Sequence, residues 1–277
     1  MRPLTLGFLN CPDVGPLELV DIAADAGFAS VGLRITGRRL GDPYASVIGA
    51  PAAIDAIRGR LDARKVRLSN LSAYHLYPDV GLRELAPLVD TVAALRGEMI
   101  LVSCYDADRA RFCATVRSYA DAAAEHGLRL AIEFVPFSQA KSLADARAIV
   151  EAVDRDNFGM IVDPLHLARS GGRPADVATI PPDRWFFAQL CDGLAQTPAG
   201  VDLATEARTL RLDPGTGALR MAEILDALPP DLELECEFPT ATNLALPPAE
   251  RARSIRDASE RFLRDYGRAQ APRTTLP

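Results

Sequence analysis

The chain has 277 residues, 48% of them apolar and 25% charged, with a formal net charge of −6. That is the composition of a globular protein, long enough for one large α/β domain, and its acidic balance argues against a nucleic-acid partner, which needs a basic face. No apolar run approaches the length of a membrane span, and Pro12 and Asp13 interrupt the N-terminus too early for a signal peptide, so a cytoplasmic protein without a membrane partner is expected.

Short apolar runs alternate with longer amphipathic stretches along the chain. Strands are predicted at 4–9, 29–35, 66–73, 98–103, 128–134, 158–163, 185–190 and 232–238. Between them the period is helical. Pro16 suits a first helical turn, and Gly27 follows the end of that helix. Leu85, Leu88, Val89, Val92 and Leu95 make one apolar stripe, and Phe112, Val116, Tyr119, Ala120 and Ala123 make another. Ser142 with Asp145 reads as a capping box. The last helix is predicted from about Pro248 to Tyr266, stopping at Gly267. Eight strand–helix units in series predict a single (β/α)8 TIM barrel over 1–267, with 268–277 a flexible tail. An open dinucleotide-binding sheet lacks its Gly-x-Gly-x-x-Gly after the first strand. The five cysteines (Cys11, Cys104, Cys113, Cys191, Cys236) lack a C-x-x-C pair and fall largely in strand or helix segments, which predicts buried, reduced thiols.

Four late strands each finish on a polar residue that packing does not require: Glu133, Asp163, Gln189 and Glu237. A buried carboxylate or amide is strongly unfavourable without a partner, and four at one end of a barrel can share a divalent cation. The bland alternatives are a salt-bridged carboxylate at Glu133 and a strand-end amide satisfying backbone at Gln189. His166 follows Asp163 by three residues and is expected to return to the same rim, as a ligand, a donor to one, or a proton carrier. Glu233, Glu235 and Glu237 share one face by the period of two, so at least one must be neutralised inside the barrel or lie at its base. Arg34 is the candidate counter-charge for Glu235. The long segment 192–218 after the seventh strand should cover the catalytic face. It carries Glu206, Arg208 and Arg211, then Gly215 and Gly217; the arginines are candidates for binding substrate or are solvated loop charges. Asp192 orients Gln189, binds substrate or simply makes a turn with Gly193. Tyr74, His75 and Lys141 are lesser candidates near strand ends, and Arg169–Gly172 reads as turn chemistry.

The ordered set Glu133, Asp163, Gln189 and Glu237, the Asp-x-x-His of Asp163 and His166, and the Gly-x-Gly of Gly215 and Gly217 resemble the xylose-isomerase-like TIM-barrel superfamily across residues 4–265. The resemblance implies one divalent metal held by those four residues, with Mn2+ or Mg2+ favoured and Co2+ or Zn2+ possible. Members include ketose epimerases, hydroxypyruvate isomerase, inosose isomerases and dehydratases, and 3-dehydroshikimate dehydratases. Barrels of this superfamily are commonly dimers or larger, so a homo-oligomer is compatible with it. Gln189 followed by Leu-Cys-Asp and an Arg-rich Pro-Gly-x-Gly loop looks most like the dehydroshikimate dehydratases. Those enzymes usually carry a His shortly after the first ligand Glu, whereas Phe137–Ser142 contains none.

The expected chemistry is proton abstraction beside a carbonyl of a polyhydroxylated, sugar-like or cyclitol-like small molecule, with the enediolate stabilised by the metal. Glu133, Glu237 or His166 would move the proton, giving isomerisation, epimerisation or dehydration. Arg208 or Arg211 would anchor a carboxylate or phosphate of the substrate. Two rivals remain. A zinc-cluster DNA endonuclease would need many more histidines than three and a basic groove. A metal-free binding barrel would instead pair the rim residues with internal arginines.

Overall fold

The computed structural model describes residues 2–39, 42 and 44–270. Eight parallel strands close into one barrel in chain order: β1 (Leu4–Leu6), β2 (Ser30–Arg34), β3 (Arg67–Leu76), β4 (Met99–Cys104), β5 (Arg129–Glu133), β6 (Phe158–Val162), β7 (Trp185–Leu190) and β8 (Leu234–Cys236), with β8 paired back to β1. Helices follow the strands and pack outside, so the strands are covered on both faces. That explains why β6 and β7 are buried at every residue and read as continuous apolar runs. Both apolar stripes are buried, on helices Leu82–Ala94 and Arg109–Ala124. Pro16 opens helix Pro16–Asp25, and the Ser142–Asp145 capping box forms at the start of helix Leu143–Val153. All five cysteines are free and buried. No helix among the described residues is long and apolar enough to cross a membrane.

Three boundaries differ from the expected ones for identifiable reasons. β1 stops early because a 3-10 turn, Phe8–Asn10, takes the chain inward. Buried Asn10 then donates to the Cys236 carbonyl at 2.6 Å and accepts from the Phe238 amide at 3.0 Å, replacing strand pairing at the rim. β8 is correspondingly short, and Glu237 lies one residue beyond it. The last helix, Pro248–Gln270, passes through Gly267, with Tyr266 and Gln270 both hydrogen-bonded to Asp226. Residues 271–277 of the expected tail lie outside the described residues.

The three glutamates of the last strand region sit at three depths. Glu233 is at the base, accepting from Thr5, from Ser30 at 3.3 Å and from Arg67 at 2.9 Å. Glu235 is inside the barrel, accepting from Asn70 at 2.9 Å and Gln189 at 3.2 Å. Glu237 faces the mouth. Arg34 does not neutralise Glu235: its Nε donates to the Thr36 carbonyl and its guanidinium lies over the Tyr44 ring, 4.5 Å from the centroid. Inside the barrel Glu235 has only hydrogen bonds from the neutral Asn70 and Gln189 amides, not a counter-charge.

Candidate active site

Asp163 directly follows β6 and is the N-cap of helix Pro164–Arg169, with Pro164 at the first helical position. Its Oδ1 accepts from the Leu165 amide at 2.7 Å and the His166 amide at 3.3 Å. This tight turn swings His166 back over the rim. His166 Nε2 lies 3.5 Å from Asp163 Oδ2 and 3.9 Å from Glu133 Oε1. One ligand atom from each of Glu133, Asp163 and His166 falls within 4.8 Å of the others, a spacing that a single metal ion can bridge. The Phe137 ring meets His166 edge-on at 5.8 Å.

Gln189 and Glu237 complete the floor. Register pairs Gln189 with Glu235, so both point inward, and Gln189 Nε2 donates to Glu235 at 3.2 Å and Glu237 at 2.8 Å. With its amide hydrogens committed to carboxylates, Gln189 Oε1 is left buried without a hydrogen-bond partner. A carbonyl oxygen in that position is unfavourable unless something accepts its lone pairs, and a cation does so. Arg211 closes one side. Its Nη2 is 2.6 Å from Asp163 Oδ2 and 3.7 Å from Glu237 Oε2, while its other nitrogens donate to Cys191 Sγ and the Ala207 carbonyl.

The charges are unbalanced. Glu133, Asp163, Glu235 and Glu237 face the single buried guanidinium of Arg211. Burial, reinforced by neighbouring carboxylates, pushes the Glu133 and Glu237 carboxyls up, and burial raises Glu235 as well. Burial opposes ionisation of Asp163 too, but the charge of Arg211 and then that of His166 hold it below the usual carboxylate range. Burial keeps the His166 imidazole neutral, down to about 4. A dication would relieve the crowded carboxylates and satisfy the stranded Gln189 oxygen, so this donor set fits a divalent metal.

A cavity open to solvent lies above this floor. Glu133, His166, Gln189, Glu237, His75, Arg208 and Arg211 line it, and Ala207, Arg208 and Arg211 bring the 192–218 segment over it as expected. That segment is not wholly irregular, since it contains helix Leu203–Thr209, capped by Asp202. Several expected contacts lie elsewhere. Asp192 is buried, does not line the cavity, and accepts from the amides of Gly193, Gly215, Gly217 and Leu219, so it organises the Gly-x-Gly loop. Tyr74 packs against the hydrophobic core, and Lys141 is exposed outside the cavity. Arg211 borders the cavity, but its guanidinium is spent on Asp163, Cys191 and Ala207. Glu206 is no solvated loop charge: it is buried against Arg169 at 2.6 Å, and Arg169 also donates to the Leu194 carbonyl, tying the segment down.

Among the lining residues that escaped the sequence reading, two carry an ionisable side chain. Tyr105 follows β4, and Arg38 follows β2. Each is polar or charged just beyond a strand end, the same signal that singled out Glu133, but neither terminates a run on a carboxylate.

A family model for the xylose isomerase-like TIM barrel matches residues 20–266. Over 111 residues the chain is 30% identical to a 3-dehydroshikimate dehydratase of Pseudomonas aeruginosa, covering 40% of this chain and 17% of that protein. Over 145 residues it is 30% identical to an inosose isomerase of Halalkalibacterium halodurans, covering 51% and 48%. The chain thus spans less than half the length of either curated relative. A crystal structure of the IolI protein with a bound zinc atom superposes with a TM-score of 0.76 at 16% identity, over 96% of this chain and 99% of that one, which is a likeness of fold. By the family match, with the closed barrel already described, the chain belongs to the xylose isomerase-like TIM barrel family.

Proposed function

We propose that the chain is a divalent-metal-dependent enzyme that removes a proton from the carbon beside a carbonyl of a sugar-like or cyclitol-like substrate and returns it to another carbon, as an isomerase, or to the opposite face of the same carbon, as an epimerase. The observation that carries this reading is the meeting of Glu133, Asp163 and His166 within 4.8 Å, beside the unpartnered Gln189 oxygen, at the floor of a cavity. Glu133, Asp163, Gln189 and Glu237 would hold the ion, with His166 against them. The oxygen-rich set suits Mn2+ or Mg2+, and the zinc in IolI widens the range. When bound, a divalent ion supplies Lewis acidity that stabilises charge developing on the substrate carbonyl.

The chain's own residues do the rest. Glu133 and Glu237, at the cavity floor, take and return it, and His166, whose Nε2 lies 3.9 Å from Glu133 Oε1, is placed to accept it or pass it on. Leu101, Val135 and Phe137 keep water from that wall. Free, buried thiols suit a cytoplasmic setting. A second reading, loss of a β-hydroxyl after the same deprotonation, is favoured by the identity to the dehydratase. The test is Mn2+ binding by calorimetry with solvent-deuterium incorporation into a panel of polyhydroxy ketones and cyclic keto acids. Glu133→Gln should lose metal and exchange together; full exchange by metal-free protein refutes the mechanism, and absence of both metal and exchange leaves a binding barrel.

A further inference from the structure

The upper wall of the cavity carries two guanidiniums without an acidic partner. Arg38, four residues beyond β2, and Arg208, on helix Leu203–Thr209, both line it. Neither side chain has a carboxylate within 4.0 Å or a hydrogen bond among the described residues. The other arginines away from solvent have their guanidiniums occupied: Arg211, Arg169 and Arg251 pair with Asp163, Glu206 and Asp13, Arg2, Arg34 and Arg117 donate to backbone carbonyls, and Arg129 lies over the Phe186 ring. Asp42 is close in sequence, but its Oδ2 accepts from the backbone amides of Arg38 and Arg39.

The two charges act on the same wall. Arg38 is half-buried, and burial together with Arg208 and Arg34 weakens its hold on its proton. His75 lines the same cavity, its amide bonded to the Arg38 carbonyl at 2.6 Å and its ring stacked on Tyr105 with centroids 4.4 Å apart. Two unpaired like charges held together beside a neutral ring are unfavourable in the empty cavity and favourable once an anion lies between them.

We infer that the substrate carries a carboxylate, received by Arg38 and Arg208 at the upper wall while its carbonyl end reaches Glu133, His166 and Glu237 at the floor. This rests on the proton-transfer reading above and narrows its substrate class. Guanidinium forks match the planar, two-oxygen geometry of a carboxylate. A neutral polyol of equal size leaves both charges uncompensated and is discriminated against. The rings of His75 and Tyr105, stacked on each other and lining the same cavity as Arg38 and Arg208, give the organic body of such an acid a flat surface.

The experiment is calorimetric titration of the full chain, with and without Mn2+, using three probes: quinate (a cyclic polyhydroxy acid), myo-inositol (its neutral counterpart in size) and myo-inositol 1-phosphate. Quinate is expected to bind at least about tenfold more tightly than myo-inositol, since hydrogen bonds to charged groups are the stronger class. Arg38→Met and Arg208→Met should each weaken quinate by about 10- to 100-fold and leave myo-inositol unchanged. Arg208 is exposed, so its variant tests the idea even if Arg38→Met folds poorly. Equal binding of quinate and myo-inositol, no quinate binding, or affinity unaltered in Arg208→Met overturns the proposal. Preference for the phosphate ester over quinate overturns the carboxylate assignment. Mn2+ titration of the same variants separates the two readings: absence of metal binding in every protein sinks the metal proposal alone, whereas normal metal binding without quinate discrimination sinks this one.

Discussion

Arg211 Nη2 donates to Asp163 Oδ2 at 2.6 Å, and both side chains are essentially inaccessible to solvent. Removing one partner of such a pair leaves an uncompensated buried charge, at a cost of about 3–5 kcal/mol. Arg211→Met should therefore lower the unfolding free energy measured in urea by an amount of that order. Adding Asp163→Asn should restore most of it, because the second change removes the stranded charge. Equal losses in the single and double variants would show that Arg211 acts only through its packing.

Gly32 makes room for the buried glutamate. A Cβ there would lie 2.4 Å from Glu235 Oε1 and 2.9 Å from Asn70 Oδ1. Gly32→Ala must push Glu235 off the Asn70 and Gln189 amides, and overpacking of this kind costs about 1–3 kcal/mol. Because Gln189 also bonds Glu237, Mn2+ affinity should fall along with thermal stability. A Gly32→Ala protein of unchanged midpoint and unchanged metal affinity would mean that the interior relaxes around the methyl.

The sequence makes the barrel and its polar rim readable because both are local. Continuous apolar runs mark strands covered on both faces, and a carboxylate ending such a run stands out against them, as Glu133 and Asp163 do. Glu237 is found the same way although β8 stops one residue short of it. What depends on distant pairing is hidden. Arg211 lies 48 residues from Asp163 in the chain, and nothing local distinguishes its buried side chain from that of Arg208, three positions earlier and exposed. Arg34 ends β2 just as a counter-charge should, yet Tyr44 and the Thr36 carbonyl draw it elsewhere. Arg38 and Tyr105 come from the connections after β2 and β4 and His75 from the end of β3, and their common wall exists only once the barrel closes.

His75 should give stability a slope in acid. Burial first, then Arg38, Arg208 and Arg34, hold its folded-state pKa down to about 3 from an ordinary 6.5, with Asp42 opposing weakly. Below pH 6.5 the unfolded chain takes up a proton that the folded chain refuses until about pH 3, so stability falls across that window. The limiting slope is about 1.4 kcal/mol per pH unit for one proton. His75→Asn removes this term and should flatten the dependence of the urea midpoint on pH between 6.5 and 3. Parallel profiles for the two proteins would mean that His75 protonates freely in the folded state.

Asp192 shows how a residue beside the site governs it without touching the cavity. Its two carboxylate oxygens accept from the amides of Gly193, Gly215, Gly217 and Leu219, and Gly217 must be glycine because a Cβ would lie 2.3 Å from the Gly193 carbonyl. The Asp192 and Leu212 backbones bond each other in both directions, at 3.0 and 2.8 Å, next to Arg211. Asp192→Ala strips an anionic acceptor from the buried amides of Gly193 and Leu219, each left unsatisfied at about 1–3 kcal/mol before relaxation, and from the more exposed amides of Gly215 and Gly217. The 192–218 segment should loosen, giving faster proteolysis within it and faster amide exchange at Gly217 and Leu219. Since Arg208 and Arg211 ride on this segment, turnover should fall while the Glu133–Asp163–His166 cluster, anchored on β5 and the helix after β6, keeps its Mn2+ affinity to within a few-fold. Metal affinity lost in proportion to activity would instead place Asp192 in the ion's own surroundings.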